Sequence, residues 1–325
     1  MKNDTSINFF YFLPFSGGKR NKPIITTFFF LIYVVGVLVN SSIITVICLE
    51  VQLHKPMYLF ISNLSIVDIF YTSVTVPKLL HVLLSGNQIV SFSQCYTQLF
   101  FFSVVATAEE ILLFIMAYDR YVAICIPLHY HLILSRKNCI LITFGIWAAA
   151  FFNSLLLVVS ALNMTSCHSN IIHQIFCDFR TLTRTICTGT TMFFVIASIE
   201  VLLFAFIPLL GTCISYVNIF LLIFKMTSKE SRSKAFSTCS SHVTVMSMYY
   251  GASLAEYLLP SYSDILDATF SVVYTTVIPM TNPIIYSLQN SNIQSTLLRF
   301  INEKILFKEK LQLKSMTSNN RLIFS

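Results

Sequence analysis

Long apolar runs separated by short polar gaps set the architecture of this chain. Seven runs stand out: Ile24–Cys48, Met57–Leu80, Leu99–Ala123, Cys139–Ala161, Phe193–Phe224, Phe236–Leu259 and Ala268–Leu288. A helix needs about 20 apolar residues to cross the hydrocarbon core of a bilayer, and in lipid such a run satisfies its backbone only as a helix. The pattern predicts an all-α membrane protein, a seven-transmembrane helix bundle. After the seventh run, Ile293–Ile305 reads as a short amphipathic helix lying on the membrane. The chain divides into an N-terminal segment (1–23) with no domain of its own, a bundle (24–290), and an amphipathic helix with a polar tail (291–325).

Composition agrees with the pattern. Of 325 residues, 55% are hydrophobic and only 11% charged, where a soluble domain carries about 25%. The net charge of +7 is scattered between the apolar runs, so it describes loops rather than a nucleic-acid surface, and no nucleic-acid partner is implied. No secretory signal stands out ahead of the first run, which is long enough to serve as its own insertion signal. An odd number of spans puts the termini on opposite sides. With the N-terminus outside, the inner side collects Lys55, Arg120, Arg136, Lys137, Lys225, Lys229, Arg232 and Lys234. Six more basic residues lie in the tail beyond residue 290. The outer side has Lys2, Lys19, Arg20, Lys22, Lys78, Arg180 and Arg184, so the bias predicts a cytoplasmic C-terminus. Lys19, Arg20 and Lys22 argue locally for the reverse. The sequons at Asn3 and Asn163 fall outside in the same arrangement and are the predicted glycosylation sites. Asn40 and Asn63 also head sequons, but inside spans.

Polar residues within the runs carry the candidate chemistry. Asp119-Arg120 closes the third run, and a charged pair belongs at an interface, because each charge at the bilayer centre costs about 2.5–3.5 kcal/mol. There Asp119 can hold Arg120 folded back on its own helix, although a plain snorkelling anchor is the ordinary role of a terminal arginine. Asp68, Glu109, Glu110 and Glu200 lie inside spans, where an acid suggests function; the alternative is a neutral, hydrogen-bonded carboxyl. Glu200 is either a counter-ion for an amine or such a neutral acid. Asn40, mid-membrane, suits an interhelical hydrogen bond. Cys95, Cys167, Cys177 and Cys187 fall on the oxidising side and allow three pairings. Metal binding through His168, His173, Cys177 and Asp178 is the weaker rival, since a disulfide-bonded cysteine offers no thiolate.

Asp119-Arg120-Tyr121 at the end of a third run resembles the rhodopsin-like G-protein-coupled receptors, and the fuller MAYDRYVAICIPLHY (Met116–Tyr130) resembles the olfactory receptor family closely. PMYLFISNLSIVD (Pro56–Asp68), KAFSTCSSH (Lys234–His242), Tyr250-Gly251 and PMTNPIIYSLQN (Pro279–Asn290) extend the likeness over roughly residues 10 to 300. Val39, Glu110 and Gln289 depart from the family's glycine, apolar residue and arginine.

The resemblance implies an odorant-activated receptor that is not an enzyme and needs no cofactor. Its partners would be a small volatile odorant, a heterotrimeric stimulatory G protein that raises cyclic AMP, and the lipid of the plasma membrane. By the same likeness, Cys95 pairs with Cys177 and Cys167 with Cys187, folding a loop over the bundle. Asp68, Glu109 and Asn282 would form a cation or proton site, with sodium as the candidate ion. Asp119, Arg120, Tyr121, Tyr216, Lys234, His242, Asn282, Pro283 and Tyr286 would carry activation. Ligand contacts fall on Phe102, Ser103, Ala106, Thr107, Glu200, Phe204, Tyr250, Ser253, Leu254, Tyr257 and Thr275. Two other readings stay open: a receptor-like chain that folds without signalling, and a seven-helix transporter or channel, for which neither a repeat nor broken helices are apparent.

Overall fold

A computed structural model of the chain describes residues 9–12, 22–162, 165–166, 171–172, 174–179, 182–183, 186–188, 191–258, 269–289, 293–296 and 298–299. Long helices dominate: α1 (Lys22–Leu49), α2 (Pro56–Ser85), α3 (Phe92–Cys125), α4 (Arg136–Leu162), α5 (Thr191–Lys225), α6 (Lys229–Leu258) and α7 (269–289). Of these, α1 to α5 are long and apolar enough to cross a membrane. α6 is long but rich in serine, threonine and charge, and the described part of α7 is short and polar at Thr275, Thr276, Thr281 and Asn282.

The helices run past their apolar runs because polar residues cap them. α3 begins at Phe92, seven residues before the apolar run. There Ser91 and Gln94 form a reciprocal capping box, the Gln94 N–H donating to Ser91 Oγ at 3.3 Å and the Ser91 N–H to Gln94 Oε1 at 3.4 Å. Pro56 opens α2, where its missing donor costs nothing, and Gly86 closes it at φ +69°, a left-handed conformation that glycine adopts without strain.

Helix α3 is central, packed against α2, α4 and α5, while α1 lies against α2 and α7. Buried residues from all seven helices form one continuous apolar core. The outward faces are apolar too: Phe30, Leu38, Phe144, Phe152, Val217 and Leu221 stand exposed, the arrangement of helices that fit membrane insertion.

Among the described residues, five short strands depart from the all-α expectation. β1 (Phe9–Phe12) pairs antiparallel with β2 (Ile89–Ser91) and parallel with β4 (Ile171–Ile172), while β3 (Thr165–Ser166) pairs with β5 (Ile186–Thr188). Phe10 and Phe12 alternate inward and are fully buried over the bundle end, so part of the N-terminal segment is built into the fold. Two-residue strands carry too little periodicity to be read from sequence. At the opposite end, residues 293–296 are helical with Ile293 and Thr296 buried, and Arg299 pairs with Glu50 beyond α1.

Candidate functional site

The strand-bearing end of the bundle is closed by the loop between α4 and α5. Cys177 is bonded to Cys95 in the first turn of α3, across 82 residues of sequence, and both are buried. Gln98, one turn further along α3, accepts the Cys177 backbone N–H at 2.9 Å and donates to the Val74 carbonyl of α2 at 2.8 Å. Gln174 of the same loop donates to Glu256 of α6 at 2.8 Å, and Ser271 of α7 donates to the same carboxyl oxygen at 3.0 Å. The loop is thus tied directly to α3 and α6, and through Gln98 and Glu256 to α2 and α7, by groups removed from water, where each bond is worth most.

Beneath it lies a cavity of about 630 Å³. Phe102, Ser103, Ala106 and Thr107 of α3 line one wall, Glu200 projects from α5, and Tyr250, Ser253, Leu254 and Tyr257 come from α6. These nine were ligand candidates from the sequence, and the fold brings them together. Phe204 and Thr275 are not among the lining residues; Ala205, Phe206 and Tyr274 are. Both differences fall in widened helical turns, Val201–Phe206 in α5 and Val273–Val277 in α7, where an i→i+5 bonding pattern turns the following side chains out of regular register. Thr275 instead donates to the Ser271 carbonyl at 2.7 Å. Sequence reasoning also missed Glu110, Leu157 and the loop residues Phe179 and Thr183 as cavity walls. Only Glu110 carried a signal, as an acid in an apolar run.

Polar groups in this cavity are few and specific. Asn153 of α4 spends both amide protons, on Thr107 Oγ1 at 3.2 Å and on Glu200 Oε1 at 3.0 Å, joining three helices. Among the described residues, the buried Tyr250 hydroxyl and Ser253 Oγ have no hydrogen-bond partner. An apolar chamber with a few unsatisfied polar groups is what a small-molecule site requires.

Midway along the bundle, Asn282 of α7 donates to Asp68 Oδ1 at 3.0 Å, and Glu109 of α3 lies beside both. All three are buried; Asp68 Oδ2, Glu109 Oε1 and Asn282 Oδ1 have no partner. The three residues selected by resemblance therefore converge. A group of two buried carboxyls and an amide oxygen has the hard oxygen donors that suit a small cation or a shared proton.

At the far end, Asp119 is fully buried and holds Arg120 through Nε at 2.9 Å and Nη2 at 2.5 Å. Its other oxygen accepts from Tyr130 at 2.9 Å. Tyr130 sits on a short helical turn between α3 and α4; burial first, and then the Asp119 carboxylate, push its phenol above the ordinary value, so it stays a donor. Tyr216 of α5 and His242 of α6 share a 2.5 Å hydrogen bond, and the His242 ring lies 6.5 Å from that of Tyr286 on α7. Pro283 is buried and Tyr121 half-buried. Asn3, Asn163, Cys167 and the side chains of Cys187 and Lys234 lie outside the described residues, as do His168 and His173 of the rival metal set. Among the described residues no metal-binding group of His, Cys, Asp or Glu occurs.

A bundle with outward apolar faces, a ligand-sized cavity under a disulfide-pinned loop and an Asp119–Arg120 ion pair further along α3 has the build of a membrane receptor. The family profile described as olfactory receptor matches residues 29–304. Human olfactory receptor 2L2 is 39% identical over 301 residues, 92% of this chain and 96% of its own length. Human olfactory receptor 5AN1 is 40% identical over 304 residues (93% and 98%), and mouse olfactory receptor 5B21 38% over 304 (93% and 95%). Likeness over nearly the full length of both chains settles the matter: the chain belongs to the olfactory receptor family. Members of that family are odorant-sensing G-protein-coupled receptors and not enzymes.

Proposed function

We propose that this receptor spans the plasma membrane seven times, with its N-terminus outside and its C-terminus in the cytoplasm. The self-satisfying hydroxyls of α6 support its place among the spans: Thr244 donates to the Ser240 carbonyl at 2.8 Å and Ser247 to the Val243 carbonyl at 2.8 Å. Such back-bonding lets a helix of low apolarity sit in lipid. A small volatile odorant enters under the loop and occupies the chamber lined by Phe102, Ala106, Thr107, Glu200, Tyr250 and Tyr257. Odorant favours one bundle state over another only by binding it better. In that state the inner end of α6 moves away from α3, Tyr216 and His242 part, and Arg120 leaves Asp119 to meet a stimulatory G protein. Nucleotide exchange on that partner then raises cyclic AMP.

Asp68, Glu109 and Asn282 form a sodium or proton site between chamber and latch, so sodium shifts the balance between states. The pairing Ser166↔Ile186 draws the chain ends near Cys167 and Cys187 together, which supports a second disulfide there. Asn3 and Asn163 carry glycans on the same side.

One observation carries the reading: a single helix, α3, lines a ligand-sized cavity with Phe102 to Glu110 and, more than two turns further on, carries the Asp119–Arg120 pair with its buried carboxylate. The test is odorant-evoked cyclic AMP in cells that carry the stimulatory G protein, with surface receptor measured in parallel. Ala106→Phe, which narrows the chamber, and Arg120→Ala, which removes the latch, should each abolish the response at unchanged surface level. A response that survives both disproves it, and uptake or current in place of cyclic AMP would mean a transporter.

A further inference from the structure

Two carboxyl groups face the same chamber. Glu110 of α3 and Glu200 of α5 both line it, and each lies within the other's electrostatic reach. The remaining titratable groups on its walls are the phenols of Tyr250 and Tyr257 of α6 and Tyr274 of α7. Among the described lining residues there is no lysine, arginine or histidine. Among the described residues, therefore, the ionisable groups other than phenols on its mostly apolar walls are both acids.

That arrangement is costly when empty. Two acids so placed cannot both ionise without a cation between them, because burial and mutual repulsion both oppose it. The protein supplies partial relief only. Asn153 covers Oε1 of Glu200, and the Tyr249 hydroxyl lies beside Glu110. The buried Tyr250 hydroxyl and Ser253 Oγ are left without partners on the same wall. Phe102, Tyr250, Tyr257 and Tyr274 bring aromatic rings to its walls, and the face of such a ring attracts a cation that is out of water.

We propose that the ligand of this receptor is a small protonated amine with an apolar body, its ammonium held between Glu110 and Glu200. The proposal rests on the reading of the chamber as the odorant site and names the chemical class that site selects. An alkylamine has the basicity of a lysine side chain, about 10.4, and enters as the ammonium. One ammonium neutralises one carboxylate; the second carboxyl, keeping its proton, accepts a further N–H. A third N–H is left for the Tyr250 hydroxyl. The apolar body takes the remaining volume against Phe102, Phe206 and Leu209. A neutral alcohol of the same shape offers one donor and no charge, and a carboxylic acid adds repulsion.

The test compares cyclohexylamine and 2-phenylethylamine with cyclohexanol, 2-phenylethanol and cyclohexanecarboxylic acid. It uses two readouts, cyclic AMP in cells with verified surface receptor and thermal stabilisation of the purified full-length receptor. The amines should act at concentrations ten-fold or more below the matched alcohols, and the acid should do nothing. Glu110→Gln and Glu200→Gln should each weaken the amines by about 10- to 100-fold, the loss expected for a charged hydrogen bond. Glu200→Asp, which keeps the charge, should lose far less, and it guards against a variant that merely misfolds. Amines that match the alcohols in both readouts, amines silent in both, or amine responses that survive both glutamine variants overturn the proposal. Ala106→Phe separates this from the underlying reading. If it abolishes responses to neutral odorants while the amines never act, the chamber stands and the amine falls. If it alters no response at all, the chamber itself is not the odorant site.

Discussion

The side-chain amide of Asn40 on α1 donates to the backbone carbonyl of Pro279 on α7 at 3.2 Å, and to its own helix at Gly36 at 3.1 Å. Pro279 lies four residues before Pro283, whose ring nitrogen has no proton to give it. The proline that breaks the ladder of α7 is thus compensated from another helix. Asn40→Ala should lower stability by about 1–3 kcal/mol, the cost of stranding a buried acceptor. In a Pro283→Ala background, where a helical N–H is restored, the same change should cost much less. A double-mutant cycle on thermal unfolding in detergent reads this coupling, and additive losses would show that the two residues act separately.

Tyr130→Phe removes one of the bonds that keep Asp119 in place. With the carboxylate held less firmly, Arg120 is released more easily, and ligand-free cyclic AMP should rise above wild type at equal surface level. Unchanged basal signalling would put Tyr130 outside the latch. The Tyr130 phenol titrates above its ordinary value of about 10, so the stabilising contribution of its bond is complete below that pH. It is lost only as pH climbs from there towards the raised value. Basal signalling of wild type should therefore show no step from this group between about pH 6 and 9.

Cys95→Ser opens a closure that spans 82 residues. Constraint of a loop that long is worth about 4 kcal/mol on the chain-entropy account. The variant should reach the surface poorly and lose odorant response, and Cys177→Ser should match it. Combining the two should cost no more than either alone, which surface labelling can check.

At Gly211 of α5 the ring of Phe114 on α3 occupies the place a side chain would take. A Cβ placed there would stand 2.5 Å from Cε2 of Phe114 on α3. Gly211→Val should destabilise the bundle by about 1–3 kcal/mol, as overpacking does. Phe114→Ala makes room, so thermal unfolding of the double variant should recover part of that loss. A Gly211→Val protein as stable as wild type would mean the helices part without penalty.

Much of this architecture is legible before any coordinates. The apolar runs locate all seven helices, five of them long and apolar enough to cross a membrane, and hydroxyl-rich α6 is still found because its run lies between polar breaks. The nine chamber residues that were anticipated came from resemblance and from helical spacing, which is dependable where the helix is regular, as along Phe102 to Thr107. It fails where the helix is not. Phe204 and Thr275 were lost to two widened turns, and nothing in Val201–Phe206 or Val273–Val277 announces an extra residue per turn. The start of α3 was set late although Ser91 and Gln94 carry a capping signal, because hydrophobicity outweighed it.

The sequence by itself determined what is local: which stretches must be helical, where charge must leave the membrane, and which family motifs are present. Only the tertiary structure decided what is held between helices. It set Glu110 and Glu200 on the walls of one cavity, gave Asn153 to both Thr107 and Glu200, supplied Tyr130 to Asp119, and handed Pro279's stranded carbonyl to Asn40. Each of these joins residues on different elements, and the angle about a helix axis at which two side chains meet depends on packing and on turn width, which no spacing along one strand of text records.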